Sequence, residues 1–138
     1  ENQNSYNTLK LFLNTLYCIS ETDKNLDFIT SVFKLRILKI LGFTPNVKEC
    51  VACKSKDEIK YFSIKDNGFK CKNCGKQDTS CIEISSATEN AIKYVILADS
   101  KKIFSFSISE TSLRELKMIA DIYLNEKLEK EYKLDKLF

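Results

Sequence analysis

Two pairs of cysteines constrain this chain more than any other feature. Cys50-x-x-Cys53 and Cys71-x-x-Cys74 are separated by seventeen residues, 54 to 70. Two such pairs at roughly this separation form a template for a structural zinc site. Two intervening residues let both sulfurs of a knuckle face one point. A hairpin between the knuckles then closes a tetrahedral four-sulfur shell, with metal–sulfur distances of about 2.3 Å. A closed shell leaves no position for water, so the expected role of the zinc is structural. The chain has no His, which removes the usual neutral ligand and any Ser-His or Cys-His nucleophile pair. Gly75 follows the second knuckle, where a residue free to take positive φ would ease the turn; Lys54 holds that place after the first. Iron–sulfur clusters use other spacings. Redox Cys-x-x-Cys pairs open a helix after a strand, which neither pair is expected to do. Cys18 and Cys81 are read as small apolar core residues, although Cys81 is near enough in sequence to compete as a ligand.

The six cysteines of the 138 residues do not read as a disulfide framework. Residues 1–5 carry no secretory pattern, and the rest is rich in Lys and Glu, which points to a reducing compartment. No apolar run approaches a membrane span. The chain lacks an initiator Met and is expected to be a fragment or a processed product.

Around the cysteines the pattern is helical. With three Gly and one Pro, little interrupts it. Leu9, Phe12, Leu13, Leu16 and Ile19 give one face of a helix over about Ser5–Ser20. A second helix is expected over Leu26–Leu41. Its face of Ile29, Phe33, Ile37, Ile40 and Leu41 is widened by Val32, Leu35 and Leu38, so it should be buried on more than one side. Gly42 sits where a C-terminal cap belongs, with Pro45 beyond. Tyr61-Phe62-Ser63-Ile64 reads as a strand, Asp66-Asn67-Gly68 as a tight turn, and Phe69-Lys70-Cys71 as the return strand. Ser86-Ala87-Thr88-Glu89 reads as a capping box opening a helix with Ala91, Ile92, Val95, Ile96 and Ala98 inward. Residues 99–108 form a connection, with Ile103–Phe106 a candidate extended stretch. A last helix begins near Ser109, with Leu113, Leu116, Ile119, Ala120, Tyr123 and Leu124 inward. The pairs Glu126–Lys130 and Glu129–Lys133 would prolong it. The expected fold is mainly α: one helical domain over 1–138, a bundle with a four-cysteine zinc-binding β-hairpin inserted at 50–76.

Charge is uneven. Residues 34–76 hold eleven Lys/Arg against four acidic residues, a net +7 in a chain of net +3. Lys60, Lys65, Lys70, Lys72 and Lys76 lie on or beside the hairpin and are candidate DNA contacts, alongside a reading as ordinary solvated surface. Tyr61, Phe62 and Phe69 either stack on bases or close a small core over the metal. Arg36 and Lys39, on the otherwise apolar second helix, either snorkel to its edge or line a basic groove for a carboxylate-bearing peptide or for DNA.

Phe33-Lys34-Leu35-Arg36-Ile37-Leu38-Lys39-Ile40-Leu41-Gly42-Phe43-Thr44-Pro45, followed by Cys50-Val51-Ala52-Cys53, resembles the C-terminal region of the bacterial DNA repair family RecO. So do Phe62-Ser63 before an Asn-Gly turn, Cys71-x-x-Cys74, Ser85-Ser86-Ala87-Thr88, and the run from Leu113 through Tyr123-Leu124 to Lys133–Phe138. Lys34 and Lys72 depart from the Glu and Pro common at those places and make this chain more basic. The resemblance implies a non-enzymatic mediator of recombination. Such a protein binds single- and double-stranded DNA, anneals strands and helps load recombinase. Its partners would be RecR and the acidic tail of single-strand-binding protein, in the bacterial cytoplasm at the nucleoid. The family also has an N-terminal OB-fold, which the resemblance does not lead one to expect within these residues. The alternative is a zinc-stabilised protein-interaction module without DNA binding of its own.

Overall fold

The computed structural model describes residues 2–132; the expected Glu129–Lys133 pair and the similarity over Lys133–Phe138 lie outside them. Helix α1 (Asn2–Glu21) and helix α2 (Leu26–Ile40) open the chain. Asn25 caps α2, its side chain accepting the Phe28 N–H at 3.2 Å. Gly42 ends it at φ 94°. The Gly42 N–H reaches the Lys39 carbonyl at 3.2 Å and the Phe43 N–H the Leu38 carbonyl at 2.8 Å. This is the two-bond stop that needs a left-handed residue after the last turn.

Helix α2 is the central helix. It packs against α1, α4 (Ser86–Leu97) and α5 (Glu110–Tyr132), and Ile29, Val32, Leu35 and Leu38 are fully buried. Helix α1 keeps the expected apolar residues on one face, and that face is not the one against the bundle. Leu11, Thr15 and Cys18 face the bundle and are buried, whereas Leu9, Leu13, Leu16 and Ile19 point outward and Phe12, half exposed at the edge, sets its ring 5.3 Å from that of Phe33 in α2. Periodicity identifies an apolar face but not the body that covers it. Among the described residues, no helix is long and apolar enough to cross a membrane.

The insert is a small antiparallel sheet rather than a bare hairpin. Strand β1 (Ile59–Ser63) lies between β2 (Gly68–Cys71) and β3 (Ile82–Glu83). In the β1–β2 pair, Ser63 faces Gly68, Phe62 faces Phe69, and a bulge separates Ile59 from Tyr61. Asn67, at φ 61°, makes the turn. Gly68 is required for space: a Cβ there would lie 2.6 Å from the Asn46 carbonyl oxygen and 2.7 Å from Val51 Cγ1. Strand β3, two residues long, carries too little pattern to be seen in the sequence.

Phe62 and Phe69 are fully buried, so both belong to the core. Phe62 meets Phe69 edge-on at 6.0 Å and Tyr123 of α5 edge-on at 5.4 Å. The Tyr123 hydroxyl donates to the Phe43 carbonyl at 3.0 Å and lies 3.4 Å from Asn67 Oδ1. Burial, aided by nearby Glu126, pushes this phenol up to about 12, so it stays a donor.

The cap of α4 differs from the expected box. Ser85, not Ser86, is the N-cap and accepts the Thr88 N–H at 3.2 Å. The acidic partner comes from α5: Glu115 accepts from the Ser85 N–H at 3.1 Å, the Ser85 hydroxyl at 3.0 Å and the Thr88 hydroxyl. Between α4 and α5 the chain makes one 3-10 turn, Ser100–Lys102, and buries Ile103 and Phe104, in place of an extended stretch.

Candidate metal centre and the surfaces around it

The first knuckle is a tight turn in which the Lys54 N–H reaches the Cys50 carbonyl at 2.9 Å and the Cys50 N–H the Ser55 carbonyl at 2.8 Å. The Val51 N–H donates to the Phe69 carbonyl at 2.9 Å, which fastens this turn to β2. Lys54 takes φ 68°, a conformation that costs a residue with a Cβ roughly 1 kcal/mol or more. The second knuckle follows β2 directly. Cys71 is the N-cap of the short helix α3 (Lys72–Lys76), which carries Cys74. This pair therefore does open a helix after a strand, contrary to the sequence expectation.

The environment of the pair still differs from that of a lone redox dithiol, because all four sulfurs converge. The Sγ atoms of Cys50, Cys53, Cys71 and Cys74 lie within 4.8 Å of one another, and Cys53 Sγ is 3.7 Å from Cys71 Sγ. A regular tetrahedron with metal–sulfur bonds of about 2.3 Å has sulfur–sulfur edges of about 3.8 Å. The donor set and its dimensions therefore fit one tetrahedral cation. Cys50 and Cys71 are buried, Cys74 half-buried and Cys53 exposed.

The thiols also titrate as a crowded set. Burial pushes the Cys50 thiol up, but the N–H groups of Cys53, Cys71 and Ala52 and the Cys53 thiol outweigh it and bring it down to about 6. Cys74 is pushed up to about 12 by its contacts with Cys71 and Cys53, then by burial. The first thiolate is welcomed and the last opposed, as expected of four acids around one point without a counter-charge. Cys18 is core. Cys81 is half-buried and outside the four-sulfur cluster. Its thiol is raised by burial and by Asp78.

Gly75 is needed for a reason other than φ. It lies inside α3 and is absent from the positive-φ residues. Instead, the Tyr61 ring packs on it: an added Cβ would be 2.8 Å from Tyr61 Cε2 and nearer still to Cδ2 and Cγ.

Lys60, Lys65, Lys72 and Lys76 are exposed around the insert. Lys70, expected among them, is buried. Its ammonium sits 2.8 Å from Asp66 and 2.9 Å from Asp78. Those carboxylates, Asp66 first, hold the Lys70 pKa well above the ordinary lysine value. Ser80 and Lys70 hold Asp78 well below the usual carboxylate range. The charge of Lys70 is thus satisfied within the fold. Pairing Tyr61 with Lys70 in the register fixes the side of β2 from which Lys70 projects, and the chain alone does not reveal that Asp78 returns there.

Arg36 and Lys39 close the C-terminal end of α4. Arg36 Nη1 donates to the carbonyls of Val95 at 2.9 Å and Ala98 at 2.6 Å, and Lys39 Nζ to that of Ile96 at 2.6 Å. These are the carbonyls left without helical partners, where positive charge is favoured. Burial lowers both pKa values; Asp99 partly offsets this for Arg36, and Arg36 lowers Lys39 further. Both residues also line a cleft of about 310 Å³, with Lys10 on one wall and Asp99 and Ser100 on another.

The family profile described as Recombination protein O C terminal matches residues 1–136. A DNA repair protein RecO from Acetivibrio thermocellus is 39% identical over 137 residues, 98% of this chain and 55% of that protein. One from Bacillus subtilis is 33% identical over 100 residues, 72% of this chain and 39% of the relative. A third, from Thermoanaerobacter sp. (strain X514), is 29% identical over 133 residues, 96% and 54%. The chain thus spans about half the length of these relatives. No solved structure matches it.

Proposed function

Because the chain belongs to the RecO C-terminal family of DNA repair proteins, we propose that it is a zinc-stabilised part of a recombination mediator that itself touches DNA. In this reading Cys50, Cys53, Cys71 and Cys74 hold one zinc. The ion supplies a cross-link that fixes both knuckles; with four thiolates the centre carries a charge of about −2, which the net +7 of residues 34–76 outweighs. Lys60, Lys65, Lys72 and Lys76 grip phosphates of single- or double-stranded DNA. Lys70 is left out, since two carboxylates already neutralise it. Strand annealing and assistance in recombinase loading, with RecR as a partner in the bacterial cytoplasm, are the roles this surface would serve. No bond-making chemistry is proposed.

The observation that carries the reading is the group of exposed lysines on a four-thiol insert in a chain of this family. The test is the anisotropy of a labelled single-stranded oligonucleotide titrated with the 138-residue chain at several salt concentrations. Four neutralised phosphates give a log–log slope of about −2.8, or roughly 50-fold weaker binding between about 50 and 200 mM salt. Absence of binding at low salt would refute it.

A second reading, a protein-docking module, is favoured by the basic cleft at Lys10, Arg36 and Lys39. Such a cleft suits a carboxylate-rich peptide, such as the acidic tail of single-strand-binding protein. A labelled acidic peptide that binds, and loses binding in Lys10→Glu, would support it.

A further inference from the structure

The outward side of α1 is unlike the rest of the surface. Leu9, Phe12, Leu13, Leu16, Tyr17 and Ile19 are 44–66% exposed. At steps of three and four residues they form one continuous stripe, on the order of 600 Å² of apolar surface. That is at or above the largest patch a soluble monomer ordinarily shows, roughly 300–600 Å². No charged residue lies between Lys10 and Glu21, so the stripe offers nothing to phosphate. The opposite side of the same helix, at Leu11, Thr15 and Cys18, is already packed on the bundle. A helix apolar on both sides belongs between two bodies.

The second body need not be another copy. A stable interface between separate chains takes about 800 Å² per partner and carries a polar rim, whereas this stripe comes from one helix and has no charged residue along it. The relatives suggest a different source. The match to the A. thermocellus protein takes in 98% of this chain, α1 included, yet nearly half of that protein lies outside the match. The Thermoanaerobacter relative has the same proportions.

We infer that the outward face of α1 is an intramolecular seam, covered by an apolar surface of the polypeptide that the longer relatives carry outside the matched region. The inference does not rest on the DNA-binding reading, since none of Lys60, Lys65, Lys72 and Lys76 lies on α1.

The test joins this chain, in place of the matched segment, to the remainder of the A. thermocellus protein and compares the product with the 138-residue chain alone. Amide exchange in α1 is expected to slow by roughly tenfold or more in the joined polypeptide. Fluorescence of an apolar dye should fall several-fold, and Leu13→Glu with Leu16→Glu should reverse both. The intact A. thermocellus protein against its own matched segment repeats the comparison without a chimeric join. Equal α1 exchange in the long and short forms of that protein would overturn the inference. So would a dimer, in sedimentation, that persists in the long form and is dissociated by Leu13→Glu, because the occupant would then be a second copy.

Discussion

Gly75→Ala is a small change with a large expected effect. The new methyl group would enter the Tyr61 ring, with Cε2 at 2.8 Å and two further ring atoms closer, where ordinary contacts begin near 3.5 Å. Relief requires either the ring to leave its place on β1 or α3 to lift away from the sheet. Cys74 immediately precedes Gly75 in α3, so lifting the helix displaces one of the four sulfurs. Overpacking of this kind costs typically about 1–3 kcal/mol. At about 2 kcal/mol, metal affinity falls roughly 30-fold and the melting temperature by about 8 °C for a domain of this size. The assay is zinc competition against a chromogenic chelator, with thermal melting in parallel. The double variant Gly75→Ala with Tyr61→Ala removes the ring and should recover most of the lost affinity. If Gly75→Ala matches the unaltered chain, or if Tyr61→Ala fails to rescue it, the steric argument is wrong.

Lys54→Gly should stabilise the first knuckle by about 1 kcal/mol, because glycine accepts φ 68° without penalty; an unchanged or lower denaturation midpoint would contradict this. Cys53→Ser should reduce bound zinc, measured by elemental analysis of the dialysed protein, from one ion per chain to a small fraction, because three thiolates leave the tetrahedral shell open. Glu115 is opposed by burial but held below its ordinary pKa by the Thr88 hydroxyl and by the Ser85 N–H and hydroxyl. A depressed carboxylate contributes stability above its unfolded pKa of about 4.3 and loses it as pH falls through the folded value. Glu115→Gln should therefore lower stability at neutral pH by about 1–2 kcal/mol, and the difference should vanish in acid. A pH-independent gap in urea midpoints would show that the carboxylate charge is irrelevant.

What is legible in the sequence is local. The spacing of the thiols, the Gly42 stop and the breadth of the apolar band on α2 each depend on neighbours within a few residues, and the structure bears out the mainly helical bundle with a four-cysteine hairpin. What is not legible depends on how turns and neighbouring elements bring the chain back on itself. Lys70 reads as surface although its partners are near in sequence, because only the hairpin turn and the short α3 bring Asp66 and Asp78 onto its ammonium. The cap of α4 reads one residue late because its carboxylate is Glu115, thirty residues beyond Ser85. Gly75 suggests a backbone role because its true constraint is a ring fourteen positions earlier. The stripe on α1 is plainly apolar in the sequence, but a period cannot say on which side the bundle lies.

The Tyr123 side chain has a mechanical consequence. By reaching the turn of the hairpin and the buried Phe62 ring, it pins the cysteine-bearing sheet to the long helix at two points, and its hydroxyl ties the same helix to the loop after α2. The sheet therefore has no hinge there. Its exposed lysines and the Arg36–Lys39 cleft stand at a set distance and angle, as two jaws on one frame. If the lysines grip a strand and the cleft a partner, as proposed, the strand is presented with its orientation already fixed, and the entropy of aligning the two is lost when the chain folds rather than when the partners meet.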